Sequence, residues 1–230
     1  MTNRLHGLLL PGAMTAVALA VLLGLGTWQV ERLHWKQGIL AQIARAEAAP
    51  PVALPDAPEP FTKVSVSGHL RDDLAASYGA EVRDTPGGTQ LGTYLIVPLE
   101  RDEGQAILVD RGWVPDRRPR PIDRATGDVT LEGYIRPSDT PGPFSARDNQ
   151  ATRQFYTLNA ATIGSALGLR DVAPFFLVVM GSPPPERYPA PARNLPRPPN
   201  NHLSYAITWY GLAVALVVIF VLWARKVLNT

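Results

Sequence analysis

Charge disappears from the chain twice. Gly7 to Val30 carries no formally charged side chain, and neither does Leu203 to Ala224. Each run exceeds the roughly 20 residues that carry a helix across a hydrocarbon core. The pattern predicts transmembrane helices over 7–28 and 203–224. The first run is too long for the apolar part of an ordinary signal peptide. A basic, aromatic helical pattern follows it in place of a cleavage site, so it reads as an uncleaved helix. Trp28, Trp35 and Ile39 fall on one stripe at i, i+7 and i+11, with Arg32 and Lys36 beside them. Aromatics interleaved with cations suit a headgroup layer, which predicts a juxtamembrane helix over 29–49.

Between the two spans the period changes. "PPVALPDAPEP" ends the helical pattern and predicts a stiff linker over 50–60. In "FTKVSVSGH", Val64 and Val66 share one face. "TYLIVPL" and "QAILVDRGWV", separated by "ERDEG", read as a hairpin, and "DVTLEGYI", "RQFYTL" and "FFLVVM" read as further strands. "NAATIGSALGL", residues 159–169, is the one good soluble helix, with Asn159 as its N-cap. "SPPPERYPAPARNLPRPP" cannot form a helix interior and predicts an extended tether over 182–200. The fold class is therefore an α+β membrane protein. N- and C-terminal transmembrane helices flank a β-rich domain over 61–181, built as a mainly antiparallel sheet or partial barrel with one short helix.

Composition narrows the function. Lys and Arg number 22 against 20 Asp and Glu, and no run of five basic residues occurs, so no nucleic acid is expected as a partner. The absence of cysteine excludes disulfides, Cys-ligated zinc, iron–sulfur clusters and thiol relays. The tails carry Arg4, Arg225 and Lys226 and no acid, which places both termini on the cytoplasmic side. Arg32, Lys36, Arg193 and Arg197 flank the opposite ends of the spans, but a long domain translocates largely regardless of its charge.

The central domain offers little to an enzyme. It has no H-E-x-x-H, G-x-S-x-G, P-loop or G-x-G-x-x-G, and His69 is the only histidine in the sheet region. A sensor would need an output domain, and the inside tails are only a few residues long. The helices say more. Gly12, Ala16, Ala20 and Gly24 recur every four residues, a small-residue ridge that lets another helix approach, either the chain's own second helix or a partner's. On the second span His202, Ala206, Trp209, Ala213, Leu216 and Phe220 share one face. A flat apolar macrocycle with its metal on His202 suits such a stripe. Equally, tyrosine and tryptophan serve as interfacial anchors, and a histidine beside them as a polar interfacial residue.

Three blocks carry a resemblance. "LGTWQVERLHWK" (25–36), "ILVDRGWVP" (107–115) and "NNHLSYAITWYGL" (200–212) resemble, in order, the signature blocks of the Surfeit locus protein 1 family; "TYLIVPL" and "EGYIRP" fit its looser pattern. The likeness covers nearly the whole chain. It departs around "RQFYTLN", where relatives often have a tryptophan in place of Phe155 and an acidic residue near Asn159.

The resemblance implies an assembly factor for haem–copper terminal oxidases, usually cytochrome c oxidase, that binds haem a as cargo and delivers it to oxidase subunit I. The alternative it leaves is a membrane scaffold that stabilises an oxidase assembly intermediate without binding haem. It implies that His202 is the iron ligand, with Trp209 at the same site and Tyr205 in the same block. His34 lies in the variable part of the first block, about 9 Å beyond Trp28 by helical rise, and is either a second axial ligand or a solvent-facing histidine. His6, roughly 30 Å away across the bilayer, is excluded.

Partners are then subunit I, haem a synthase and the lipid bilayer. No covalent step on haem is expected, because no cysteine, nucleophile–base motif or metal-ligand cluster is present to run one. Arg117, Arg118, Arg120 and Arg124 form either a solvated loop or a docking surface. The short stretch before Arg4 has no Arg- and Ser-rich leader, which points to a bacterial inner membrane with the domain in the periplasm.

Overall fold

The two uncharged runs become two long helices. The structure, a computed structural model, describes residues 2–85, 87–117, 121–124, 127–182 and 187–229, with side chains from residue 8 onward. Helix α1, Thr2–Ala48, is continuous over 47 residues, so the expected span and juxtamembrane segment share one helix. Helix α3 is His202–Asn229. Both are long and apolar enough to cross a bilayer.

Residues up to Ala44 and from Arg197 onward form one compact unit, in which α1 and α3 run antiparallel. Four contacts fix their register. A Cβ on Gly12 would lie 3.6 Å from the Phe220 ring, and one on Gly26 would lie 2.8 Å from the Tyr210 ring. Thr27 Oγ1 and Tyr210 Oη are 3.1 Å apart, and Gln29 Oε1 meets His202 Nδ1.

The small-residue ridge is corrected here. Gly12 meets α3, but Ala16 and Ala20 are exposed and a Cβ on Gly24 would meet nothing within 4 Å. The reason is geometric: an every-four row turns about 40° per step, so by Gly24 it has wound about 120° away from Gly12. Gly26, off that row, makes the close approach.

A Gly24→Leu variant should therefore leave the helix pair intact. Gly26→Leu should force the Tyr210 ring aside and loosen the pair, because close packing is the main source of helix association in lipid. The chain lacks cysteine, so thiol cross-linking between cysteines placed at 12 and 220 reads this directly. Equal yields in the two variants would show that Gly26 is not the contact.

Residues Arg45–Pro196 form the second unit. Its strands are β1 (Val52–Ala53), β2 (Lys63–Leu70), β3 (Ala76–Thr85), β4 (Gly88–Glu100), β5 (Ala106–Pro115), β6 (Asp128–Pro137), β7 (Gln154–Phe155) and β8 (Val172–Val179), with helix α2 at Ala160–Ala166. The sheet order is β1-β2-β6-β8-β5-β4-β3-β7, and β2 pairs again with β4 through His69–Glu100 and Leu70–Leu99. That second pairing closes β2, β6, β8, β5 and β4 into a five-stranded ring. Pairing is antiparallel except at β1–β2, β3–β7 and β5–β8.

Two cores follow from strand alternation. All five ring strands contribute to the first: Val64, Val66, Val97, Leu99, Ile107, Val109, Ile135 and Leu177 fill the barrel. The opposite face supplies Ile96, Leu108 and Phe176, and Phe155, Leu158, Ile163 and Leu167 cover it. Asn159 caps α2 as expected, its side chain accepting from Thr162 N at 2.9 Å.

Three features differ from expectation. The segment "RQFYTL" supplies only the two residues of β7 before turning. The proline-rich linker contributes β1, because Val52 and Ala53 pair with Val64 and Ser65. The expected tether lies along the domain: Ala190 exchanges two backbone hydrogen bonds of 2.9 Å with Trp113, and Leu195 is buried.

Candidate functional site

The middle signature block forms a structural corner. Within "DRGW", the β4–β5 register passes from Ile96–Asp110 to Leu95–Gly112 and leaves Arg111 as the extra residue of a bulge. Arg111 turns to Asp72 at 3.1 Å, with both side chains largely buried. Gly112, at φ +121°, lies against the Ala190 backbone. Trp113 donates from Nε1 to the Glu81 carbonyl at 3.1 Å and takes the Tyr188 ring edge-on.

Asp110 sits at the root of this corner. Its Oδ1 accepts from Gly112 N at 2.9 Å. Burial pushes its carboxyl up to about 7, against the opposing pull of the Gly112 N–H and the Arg136 and Arg83 charges. The native state therefore holds the Asp110 proton where the unfolded chain has already released it. The sign follows: this contribution to stability is complete below the ordinary carboxylate range and is lost as pH rises through about 7. The domain should lose on the order of 4 kcal/mol from this group between about pH 4 and pH 8. Asp110→Asn should flatten that slope in thermal melts of the full chain. An unchanged slope would put its origin elsewhere.

The last block builds the site at the helix pair. His202 opens α3, and its Nδ1 lies 2.7 Å from Gln29 Oε1 on α1. Gln29 is only 9% exposed. No hydrogen bond to His202 Nε2 occurs among the described residues. Asn200 Oδ1, two residues earlier, is buried without a partner among the described residues.

The predicted stripe needs correction. His202 and Phe220 at its two ends both touch α1, and Ala206 and Ala213 between them are 3% exposed. The alanine row is the seam between the helices rather than an open bed for a macrocycle. Small side chains at helical spacing serve helix packing first. Of the aromatic candidates, Trp209 is half-buried at the margin of the seam and Tyr205 is exposed.

His34 is exposed and stands about 140° round α1 from Gln29, so the structure does not bring it to His202. His69 is exposed on the barrel, 3.7 Å from Asp128. The His6 side chain, Arg118 and Arg120 lie outside the described residues. Among the described residues no three His, Asp or Glu side chains gather to hold a metal ion. Gln29 escaped the sequence reading; its only signal was an amide side chain inside an uncharged run.

Fold and site together define a protein with two bilayer-length helices: a closed five-stranded barrel lies between them in sequence, and a histidine is held where those helices meet. The SURF1 family model matches residues 16–214. A SURF1-like protein of Rickettsia conorii is 30% identical over 218 residues, covering 91% of this chain and 89% of its own length. Surfeit locus protein 1 of Homo sapiens is 31% identical over 230 residues, covering 90% of this chain and 74% of its own. The chain belongs to the SURF1 family.

Proposed function

We propose that this protein is a membrane-bound assembly factor for a haem–copper terminal oxidase of the cytochrome c oxidase type, which carries haem a on His202 and passes it to oxidase subunit I. One observation carries the reading: His202 alone among the described histidine side chains is held between the two helices, with one ring nitrogen engaged and the other left to bind iron. Trp209 and Tyr205, on the flank of the seam, are the aromatic surface offered to the macrocycle. Haem a synthase is the proposed donor, and the oxidase's own histidines displace the imidazole at delivery. Binding and release suffice for this role, without a covalent step on the haem. Both termini lie in the cytoplasm of a bacterium and the barrel lies in the periplasm. The lack of acid in the tails supports this orientation.

The scaffold reading draws on the alanine row, which is buried against α1 and offers no bed for haem. Co-expression with haem a synthesis separates the two. The purified protein should show a Soret band and release unmodified haem a to apo-subunit I, as read by mass spectrometry. Stoichiometric association with subunit I and no haem absorbance would leave the scaffold.

A further inference from the structure

We propose that Gln29 is the positioning residue of the His202 site: its amide oxygen holds the imidazole as the Nδ1–H tautomer and leaves Nε2 as the electron-pair donor. The consequence for cargo rests on the haem reading above. The tautomer itself rests only on the contact between Gln29 and His202.

A carbonyl oxygen accepts hydrogen bonds and donates none, so the 2.7 Å contact between Gln29 Oε1 and Nδ1 is a hydrogen bond only when the proton sits on Nδ1. A neutral imidazole carries one N–H, so Nε2 keeps its lone pair. That is the state a metal ligand needs, and the partner of the remote nitrogen is what fixes it. Gln29 is buried at the helix seam, where an amide without a partner is costly. The bond therefore holds the ring as firmly as the ring holds the amide. One turn away, Gly26 admits the Tyr210 ring and Thr27 meets its hydroxyl, which sets the helix register that brings residues 29 and 202 together.

The choice of an amide has chemical content. A carboxylate in this place would pull on the Nδ1 proton, raise the basicity of Nε2 and tighten its hold on ferric iron. A neutral oxygen orients the ring without that added donor strength. The result is a ligand well placed for capture that a competing pair of histidines can displace.

The test begins without haem. Full-length protein in detergent, with 15N-labelled histidine, is measured at about pH 8, where an unperturbed imidazole is neutral. The His202 signals are assigned by their loss in His202→Ala. Wild type should show a protonated Nδ1 and a bare Nε2. Gln29→Leu should lose that preference, and Gln29→Glu should restore it. Cross-linking between cysteines at 12 and 220 shows whether each variant keeps its helix pair.

With haem a, Gln29→Leu should bind roughly 10-fold more weakly. Gln29→Glu should bind at least as tightly as wild type, with a lower midpoint potential. A wild-type Nε2–H tautomer, or a tautomer unchanged in a Gln29→Leu variant that still cross-links, would overturn the proposal. The expected tautomers in a protein that takes up no haem would instead refute the haem reading and leave Gln29 as the residue that positions His202.

Discussion

His202→Ala should abolish the haem absorbance of the purified protein while leaving it inserted and folded. The substitution removes the imidazole that Gln29 holds at the helix seam. Removing a partner that only supports a metal ligand costs roughly 10–100-fold in affinity, and losing the ligand itself should cost more than that. The fold should tolerate the change. The orphaned Gln29 oxygen costs about 1–3 kcal/mol if it stays buried, but the contacts of Gly12 with Phe220 and of Thr27 and Gly26 with Tyr210 remain. Free imidazole added to the variant should restore part of the Soret band by entering the vacated place. His34→Ala should change nothing, since that ring is exposed on another side of α1. An unaltered Soret band and midpoint potential in His202→Ala would remove His202 from the site.

Gly112→Val should leave little folded domain. At φ +121° the backbone is one that β-branched residues avoid, and the added Cβ would stand 2.2 Å from the Ala190 oxygen and 2.7 Å from Pro191 N. Both are backbone atoms, so no side-chain rotation gives relief. Either β5 bends or the 187–195 segment lifts away and the Trp113–Ala190 hydrogen bonds break. Strain and lost contacts together should exceed about 3 kcal/mol, a large part of an ordinary domain's stability. Gly79→Ala provides the contrast. Its φ is +64°, but a Cβ there meets nothing within 4 Å, so the cost should stay near about 1 kcal/mol. Thermal melts and proteolysis near Ala190 compare the two. A Gly112→Val protein that melts with Gly79→Ala would show that the corner is not under this constraint.

Elements with a clear period were readable from the residues. The uncharged runs gave both long helices, alternation gave β2 and β6, compact apolar runs gave the β4–β5 hairpin, and "FFLVVM" marked β8. Strand β3 was not readable, because the register slips between Tyr78 and Glu81 and the alternation is interrupted where the strand bends. Strand β1 was hidden among prolines, since two residues can pair without any period. The tether's attachment depends on a few backbone hydrogen bonds that leave no mark on composition.

The site was legible in one half only. His202 stood out through its block and its neighbours. Gln29 acquires meaning only when folding brings it against a ring 173 positions away. The small-residue ridge shows the converse error. Spacing by four looks like a helix face over two turns and winds off it over four.

The two-residue strands at either end of the sheet order bear on how the chain survives crowding. An open β-sheet carries a row of unpaired N–H and C=O groups along each border, which can recruit a strand from another molecule and start a fibre. Here five strands close on themselves in the ring, and the sheet order ends in Val52–Ala53 on one side and, on the other, in Gln154–Phe155, which covers β3 at Ser77 and Tyr78. Pro50, Pro51 and Pro55 bracket the first of these and cannot donate to an incoming strand. Many copies confined to one bilayer would meet at high local density, and the closed ring together with the prolines beside β1 removes part of the border through which they could polymerise.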